Sequence, residues 1–270
     1  MIVFHILGAG GAVPTASHTP AAYWVTVDGA PILMDPGPGA LVRLVKSGRA
    51  LRGVDEIDRV LLTHLHPDHT GDLVALLFAM HSPVPSSTEP LALFGPVGLK
   101  RLLEQLRGIY GRWLDPRLRE LVVTEITPGT VLDHPGGGRI EAFAVEHPQD
   151  WLSEGALGYR FFDAEGRLAV FSGDTGPSVG LENAATGADL LVIECSTPDE
   201  LATAGHLAPR DVGQVCNVAR PRLTVLTHQY PDAARIDLVK AVGAYYDGRV
   251  LQARDGSEYR LPETDSEDSS

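Results

Sequence analysis

The amino-acid sequence predicts an α/β protein in which two β-sheets pack face to face and helices cover their outer sides, a four-layer αββα sandwich. Strand-like and helix-like segments follow one another as strands, helices, strands and helices again, which is neither strict βαβ alternation nor an all-β pattern. Hydrophobic runs such as RVLLTH, LLVIEC and LTVLTH each end in a polar residue. We therefore expect the functional residues on loops at strand ends, carried by a rigid sheet.

The first half of the chain is predicted to contain four strands and three helices. The strands cover residues 1–7, 22–27, 31–34 and 59–63, and the helices cover residues 40–47, 71–80 and 98–108. The first strand stops at a glycine turn, and the next two form a hairpin around Asp28-Gly29. Residues 82–90, rich in Pro and Ser, form a loop, and LFGPVG after it resembles a further strand and turn.

The second half is predicted to contain mainly strands, with two helices near its end. The strands cover residues 121–126, 139–145, 158–162, 168–172, 190–195, 222–227, 250–252 and 258–260, and the helices cover residues 208–218 and 232–242. We expect one continuous domain over residues 1–262. The last residues, 263–270, are polar and acidic and are predicted to form a disordered tail.

The charge and composition of the chain disfavour two classes of binding partner, long nucleic acids and membranes. The formal net charge is −13, which disfavours long nucleic acid because a polyanion is repelled unless basic residues gather on one face. No apolar run approaches the roughly 18 residues of a membrane span, and the first residues lack the basic region of a signal peptide. Only two cysteines occur, Cys195 and Cys216, and both are expected to be buried and reduced. These features predict a soluble, cytoplasmic protein without a membrane partner.

The segment HLHPDH, residues 64–69, is the strongest functional signal. It places three histidines and one aspartate within six residues, directly after a predicted buried strand. Imidazole nitrogen and carboxylate oxygen are ligands that zinc prefers. Neutral imidazole also suits iron, nickel and copper, so the pattern predicts a metal site without fixing the metal.

This segment resembles the HxHxDH signature of the metallo-β-lactamase superfamily. Four further marks follow in that family's order, each at the end of a predicted strand: Asp35 in ILMDPGPG, His147 in VEHP, Asp174 in FSGDT and His228 in LTHQ. The marks extend over most of the chain. The resemblance implies the metallo-β-lactamase fold, which has the αββα layers already predicted.

The resemblance also implies how the ligands divide between two divalent metal ions. One ion would be bound by His64, His66 and His147, and the other by Asp68, His69 and His228, with Asp174 bridging the two. Asp35 would orient ligands through hydrogen bonds. Zinc is the expected metal, with manganese or iron as alternatives. A hydroxide shared by the two ions would attack the substrate, and Asp68 would steer or accept the proton of that water.

Several segments are similar to the ribonuclease Z and phosphodiesterase branch of the superfamily. They are the opening LGAGGAVPT, LFGPVG, the GYR that follows His147, and the stretch from ECSTP to GHLAP. His206 lies in the last of these, 22 residues before His228. In this branch a histidine so placed protonates the leaving oxygen or binds phosphate, so His206 is predicted to be catalytic.

The sequence also departs from ribonuclease Z. Only a short FFDAEGRLAVF follows GYR, which leaves no room for the arm that grips transfer RNA, and the arginines that usually follow Asp174 and His228 are missing. Residues 100–119 hold several basic residues, for which a solvated helix face is the favoured interpretation over an RNA-binding patch. We therefore expect a phosphodiesterase acting on a small or cyclic phosphodiester, and a homodimer.

Three alternatives remain open. The same metal site could serve a carboxyl-ester, thioester or lactone hydrolase, or a ribonuclease Z-like endonuclease. A non-catalytic metal-binding protein is the alternative of another class, although all seven expected ligands are present. Trp151, four residues after His147, is the best candidate for an aromatic pocket wall.

Overall fold

A computed structural model of the chain describes residues 1–149 and 153–262. The predicted tail, residues 263–270, and the predicted pocket wall at Trp151 lie outside the described residues. None of the helices in the described ranges is long and apolar enough to cross a membrane.

The described residues form the following elements in chain order. The strands are β1 (Ile2–Gly8), β2 (Ala22–Val27), β3 (Ala30–Met34), β4 (Arg59–Leu61), β5 (Leu91–Pro96), β6 (Leu121–Ile126), β7 (Val131–Asp133), β8 (Arg139–Val145), β9 (Ala156–Phe162), β10 (Leu168–Phe171), β11 (Leu190–Glu194), β12 (Leu223–Thr227), β13 (Val250–Gln252) and β14 (Glu258–Leu261). The α-helices are α1 (Ala40–Lys46), α2 (Pro67–Thr70), α3 (Leu73–His81), α4 (Leu99–Tyr110), α5 (Val179–Ala185), α6 (Pro209–Ala219) and α7 (Leu238–Gly243).

The strands form two sheets of seven strands each. The first has the order β14-β1-β2-β3-β4-β5-β6, and the second has the order β13-β12-β11-β10-β9-β8-β7. In the first sheet the strands from β14 to β3 are antiparallel and those from β3 to β6 are parallel. In the second sheet the strands from β13 to β10 are parallel and those from β10 to β7 are antiparallel. Each sheet therefore has a parallel half whose carboxyl ends meet at one edge.

Side-chain alternation places the main core between the two sheets. Successive residues of a strand point to opposite faces. On β1 and β2, Phe4, Ile6, Tyr23 and Val25 belong to the cluster between the sheets, while Trp24 belongs to the cluster under the outer helices. The second sheet follows the same rule, since its residues alternate between the central cluster and a third cluster under α5, α6 and α7. The four-layer αββα sandwich predicted from the sequence is confirmed.

The structure corrects several predicted elements. The predicted helix 71–80 is preceded by the separate short helix α2, because His66 is extended and Pro67 occupies the first helical turn. The predicted helix 232–242 divides into a 3-10 turn and α7, because Ile236 is extended and the Asp237 side chain caps α7 by accepting from Lys240 N. Helix α5 and strand β7 were not predicted.

Candidate metal centre

The candidate site lies at the edge where the carboxyl ends of both parallel halves meet. Asp35 follows β3, the histidine segment follows β4, and Asp174 and His228 follow β10 and β12. His147 follows β8, which runs parallel to β10 because both are antiparallel to β9. Sheet topology therefore brings together residues that are far apart in sequence.

The histidine segment turns sharply from β4 into α2. His64 is fully buried, and His66 occupies the position before the helix, so Asp68 and His69 lie on a helical turn rather than on the loop expected from the sequence. Gly37 allows this turn to pack closely, because a Cβ at Gly37 would lie 2.0 Å from the Asp68 carbonyl oxygen. The DPGPG segment therefore supports the backbone of α2.

His64, His66 and His147 form the first group of possible ligands. One ring nitrogen of each lies within 4.8 Å of the others, and His66 Nδ1 lies 3.1 Å from His147 Nε2. Their ring centroids are 4.8 to 5.0 Å apart, and the rings are nearly perpendicular to one another. Three nitrogens thus converge on one small volume.

Asp68, His69, Asp174 and His228 form the second group. His69 Nε2 lies 3.2 Å from His228 Nε2 and 3.3 Å from Asp174 Oδ1. His228 Nε2 lies 3.1 Å from Asp174 Oδ2 and 3.4 Å from Asp68 Oδ2. These four residues follow three different strands, yet their polar atoms meet in one volume.

Asp174 lies between the two groups. In addition to its contacts with His69 and His228, its Oδ2 lies 3.8 Å from His64 Nε2 and 3.9 Å from His147 Nε2. One carboxylate therefore faces both sets of imidazoles, which is the position that a bridging ligand requires.

Hydrogen bonds on the far side of each ring fix the orientation of four imidazoles. His147 Nδ1 donates to the Gly205 carbonyl at 2.7 Å, so its Nε2 keeps a lone pair that faces the cluster. His64 Nδ1 bonds Thr63 Oγ1 at 2.9 Å, and His228 Nδ1 bonds Ser196 Oγ at 3.0 Å. The fourth ring, His69, is held by Asp35.

Asp35 is fully buried and accepts three hydrogen bonds. The donors are Thr63 N at 2.8 Å, Thr63 Oγ1 at 2.7 Å and His69 Nδ1 at 3.0 Å. Its backbone has the left-handed φ of 45°, a conformation that Asp and Asn tolerate better than most residues. His228, at φ 54°, is a second site residue with this unusual backbone. Backbone strain of this kind concentrates at functional sites.

The electrostatics of the cluster favour a neutral His64, a charged His69 and an ionised Asp174. Burial, followed by the charge of His69, holds the pKa of His64 well below its ordinary value. Burial raises the pKa of Asp174, but the charges of His228 and His69 outweigh it and hold that pKa well below its ordinary value. Burial likewise opposes a charged His69, but Asp174 and Asp35 raise its pKa well above the ordinary value. The second group therefore attracts positive charge.

The donor set fits divalent metal ions. His64 Nε2 is buried and has no hydrogen-bond partner, which is costly unless something else binds its lone pair. The cluster combines imidazole nitrogens and carboxylate oxygens, the ligands that zinc and related divalent metals prefer. A cation in each group would satisfy the free lone pairs and neutralise the buried carboxylates.

His206 lies beside the cluster, with its ring 4.9 Å from that of His147 and stacked at 5.6 Å on that of His228. One atom each of His147, Asp174 and His206 lies within 4.8 Å of the others. The buried Glu194 carboxylate bonds His206 Nδ1 at 3.1 Å. Burial lowers the pKa of His206, but the hydrogen bond and charge of Glu194 outweigh it and raise this pKa to about 9.

The structure thus brings together all the residues singled out from the sequence: Asp35, His64, His66, Asp68, His69, His147, Asp174, His206 and His228. Sequence analysis noted the segment that begins at Glu194 without giving this residue a role, and it missed Ser196 and Tyr230. A role for Glu194 could have been inferred, because it ends the buried run LLVIE, where a carboxylate needs a partner. Ser196 and Tyr230 gave no signal, since Ser and Tyr are common in loops.

Comparison with known proteins identifies the family. A model of the beta-lactamase superfamily domain matches residues 31–229, so the chain belongs to this family. Its fold is the metallo-β-lactamase fold, as the sequence predicted, and the resemblance to the ribonuclease Z and phosphodiesterase branch is confirmed by the relatives described next. Membership in this family supports a metal-dependent hydrolase.

One relative and two solved structures show the extent of the similarity. Ribonuclease Z of Haloferax volcanii is 27% identical over 317 aligned positions, covering 97% of this chain and 95% of that protein. YhfI, a metallo-β-lactamase fold protein from Bacillus subtilis, superposes with a TM-score of 0.79 at 21% identity and covers 96% of this chain and 100% of its own. Human tRNase Z, short form, superposes with a TM-score of 0.75 at 23% identity and covers 97% of this chain and 100% of its own. The two structures show a shared fold.

Proposed function

We propose that the protein is a phosphodiesterase that uses two divalent metal ions and acts on a small or cyclic phosphodiester. The observation that carries this proposal is the position of Asp174 between two groups of ligands, with the His206–Glu194 pair beside them. Two metal ligand sets with a shared carboxylate suit attack on a phosphoryl centre, and the adjacent acid suits departure of an alcohol.

Each group would bind one ion. His64, His66 and His147 would bind the first, and Asp68, His69 and His228 the second, with Asp174 shared. Two divalent cations, with zinc as the expected metal, would stabilise the developing negative charge and supply a nucleophile at neutral pH. Asp35 would set the direction of His69 through their hydrogen bond.

His206 would hold the proton that the leaving oxygen needs. Its Nδ1 donates to Glu194, so Nε2 is the atom that can donate to a substrate. Burial lowers the pKa of His206, but Glu194 outweighs it and raises this pKa to about 9, so Glu194 favours the protonated ring. Burial raises the pKa of Asp68, but the hydrogen bond with His228 and the charge of His69 outweigh it and hold this pKa low, so the carboxylate stays ionised and would steer the attacking water or accept its proton.

A small substrate is supported over a long RNA. Strands β9 and β10 are joined by residues 163–167 alone, so no arm leaves the fold there. The Haloferax alignment has more positions than the 270 residues of this chain, so that relative contains inserted segments that this chain lacks. In the basic segment 100–119, Arg119 is buried and donates to three backbone carbonyls and Asp58, and Arg107 pairs with Asp115. These two guanidinium groups are used within the fold.

A metal analysis combined with a substrate panel tests the proposal. The purified chain should contain two divalent ions and hydrolyse bis(p-nitrophenyl) phosphate, and a chelator should abolish this turnover. A p-nitrophenyl carboxylic ester and a thioester serve as the contrast. Turnover of the ester or thioester alone would replace the phosphodiesterase with the carbonyl hydrolase. Metal binding without any turnover would favour the non-catalytic protein.

A ribonuclease is the second candidate, because the similar Haloferax protein is named ribonuclease Z. A precursor transfer RNA with a 3′ extension, incubated with the metal-loaded chain, tests it directly. If kcat/KM for cleavage of that RNA exceeds kcat/KM for small diesters, the ribonuclease would replace the small-diester phosphodiesterase as the proposed function.

We further propose that the protein forms a homodimer. Phe78 and Trp113, whose rings are 5.9 Å apart, are both more than half exposed and offer apolar surface that an interface would bury. Light scattering on a size-exclusion column gives the answer, and a monomer mass across the micromolar range would reject the dimer.

A further inference from the structure

A groove of about 1400 Å³ opens beside the candidate metal centre. His147 and Gly205 belong to both, since they line the groove and the Gly205 carbonyl accepts from His147 Nδ1. The other walls come from the ends of β5, β6 and β8 and from the start of α5. The groove is therefore continuous with the place where the scissile bond would lie.

The chemistry of the walls is apolar and acidic. Prolines, valines and other aliphatic groups supply most of the side chains, for example Val97, Ile126 and Val179. Glu146 and Glu154 are the charged side chains among the described lining residues, which include neither Lys nor Arg. Among the described lining residues, an additional negative charge in this groove would meet two carboxylates and neither Lys nor Arg.

The size also constrains the occupant. Pockets for small molecules typically measure about 300–1,000 Å³. A groove larger than this range has room for more than the phosphoryl group and one small substituent. The charge of the described lining residues points away from a chain of phosphates, whose binding requires cations along the path.

We infer that this groove receives an uncharged, apolar alcohol portion of the substrate, of aryl or larger hydrocarbon character, and disfavours an additional anionic group there. This inference rests on the proposed function, because it concerns the ester group attached to the phosphoryl centre. The metal centre performs the reaction, whereas the groove selects which diester enters. The two carboxylates among the described lining residues make the selection electrostatic as well as hydrophobic.

Two symmetric diesters test the inference with the full, metal-loaded chain. Bis(4-carbamoylphenyl) phosphate and bis(4-carboxylatophenyl) phosphate have the same shape and differ in charge, and symmetry places the same group in the groove in either orientation. We expect kcat/KM for the carbamoyl diester to exceed that for the carboxylate diester by about fivefold or more at low ionic strength.

A matched pair of variants isolates the groove. Val179→Lys places a cation on α5 at a groove residue that is 69% exposed. Val218→Lys makes the same change on α6 at a residue that is 57% exposed and outside the groove. The preference for the carbamoyl diester should fall about threefold in Val179→Lys and stay unchanged in Val218→Lys.

Equal turnover of the two diesters would overturn the inference. So would a preference that stays unchanged in both variants, or one that changes by the same factor in Val179→Lys and Val218→Lys. If the chain hydrolyses neither diester, the corresponding carbamoylphenyl and carboxylatophenyl acetates are compared in the same three proteins. The expected charge preference and its loss in Val179→Lys would then support the groove while rejecting the phosphodiesterase. Absence of turnover in both series would overturn the groove as well.

Discussion

Glu194 Oε2 lies 3.1 Å from His206 Nδ1, and the carboxylate that makes this contact is fully buried. The same carboxylate accepts from Thr175 N and from Ser196 Oγ, and Ser196 Oγ in turn bonds His228 Nδ1 at 3.0 Å. Glu194 therefore connects the proposed proton donor to a proposed metal ligand. A buried carboxylate with a protonated partner is stable where an unpaired one would not be.

The first prediction concerns His206 as the proton donor. His206→Ala should lower kcat for a diester with an alkyl leaving group about 10²- to 10³-fold, because an alkoxide must be protonated as it departs. The loss should be less than about tenfold for a p-nitrophenyl leaving group, which is stable as an anion. Steady-state kinetics on both substrates, with metal content measured in parallel, provides the check.

The comparison of the two leaving groups separates catalysis from structure. A structural defect would lower both rates by the same factor, and loss of a metal ion would appear in the metal analysis. Equal losses on the two substrates with unchanged metal content would remove His206 from the proton-donor role.

The second prediction concerns Asp174. Asp174→Ala should reduce the bound metal from two ions per chain to one or fewer and abolish turnover, because this carboxylate contacts both ligand groups. Asp247→Ala, at a side chain that is 93% exposed, is the control for removing one carboxylate and should retain both ions. Elemental analysis after dialysis measures the outcome. Two ions and normal activity in Asp174→Ala would show that Asp174 does not bridge.

Most of the candidate cluster was predictable from the sequence, because its side chains follow strands and stand in motifs that resemble those of the metallo-β-lactamase superfamily. Hydrophobic runs that end in His or Asp identify strand ends, and parallel strands gather their ends at one edge. The hydrogen bonds that orient the imidazole rings of the candidate cluster could not be predicted from the sequence. The contact between Ser196 and His228 joins residues 32 positions apart and depends on neighbouring strands β11 and β12 being in register.

The elements that prediction missed are those in which local signals conflict. Helix α5 follows Gly176-Pro177, a pair that indicates a turn, and is stabilised by the Ser178 side chain accepting from Leu181 N. In strand β7, Val131 and Asp133 are exposed and Leu132 alone packs against the core, so three residues give too short a pattern, and pairing with β8 defines the strand. For β7, pairing and packing outweigh local propensity.

The third prediction concerns Asp35. Asp35→Asn keeps a residue that tolerates φ 45° but replaces one carboxylate oxygen with an amide donor, which cannot accept from Thr63 or His69. We expect metal affinity to fall about 10- to 100-fold, as is usual when a residue that orients a ligand is lost. Competition with a chromophoric chelator measures the affinity. Unchanged affinity together with normal folding would show that His69 needs no such support.

The fourth prediction concerns pH and stability at His5, far from the metal ligands in sequence. Burial, followed by the charge of Arg49, lowers the pKa of His5 to about 4, against an opposing effect of Glu258. The folded chain therefore binds fewer protons at this site than the unfolded chain between pH 6.5 and 4. Stability from His5 is fully present above this window and is lost as pH falls through it.

Between pH 7 and pH 5 this linkage should cost about 2 kcal/mol of unfolding free energy. His5→Gln removes the titration while keeping a polar side chain. Between pH 7 and pH 5 the unfolding free energy of this variant should therefore fall by about 2 kcal/mol less than that of the natural chain. Urea unfolding at the two pH values, with chelator in both, measures the difference. Parallel losses in the two proteins would contradict a buried neutral His5.

The fifth prediction concerns Tyr230, whose ring lies 5.7 Å from those of both His206 and His228 at 77° to each. The ring closes the site against the glycine turn, because a Cβ at Gly11 would lie 3.0 Å from both His228 and Tyr230. Burial raises the pKa of the phenol to about 12, so it stays neutral. Tyr230 is therefore expected to position His206.

Substitutions can separate the ring of Tyr230 from its hydroxyl. Tyr230→Phe keeps the edge-to-face contacts and should retain kcat within about threefold, whereas Tyr230→Ala removes them and should lower kcat about tenfold with both metal ions still bound. Thermal unfolding of both variants ensures that the assay temperature lies well below the transition. Equal losses in the two variants would assign the effect to the hydroxyl group of Tyr230 and not to its ring. Full activity in Tyr230→Ala would show that Glu194 alone suffices to hold His206.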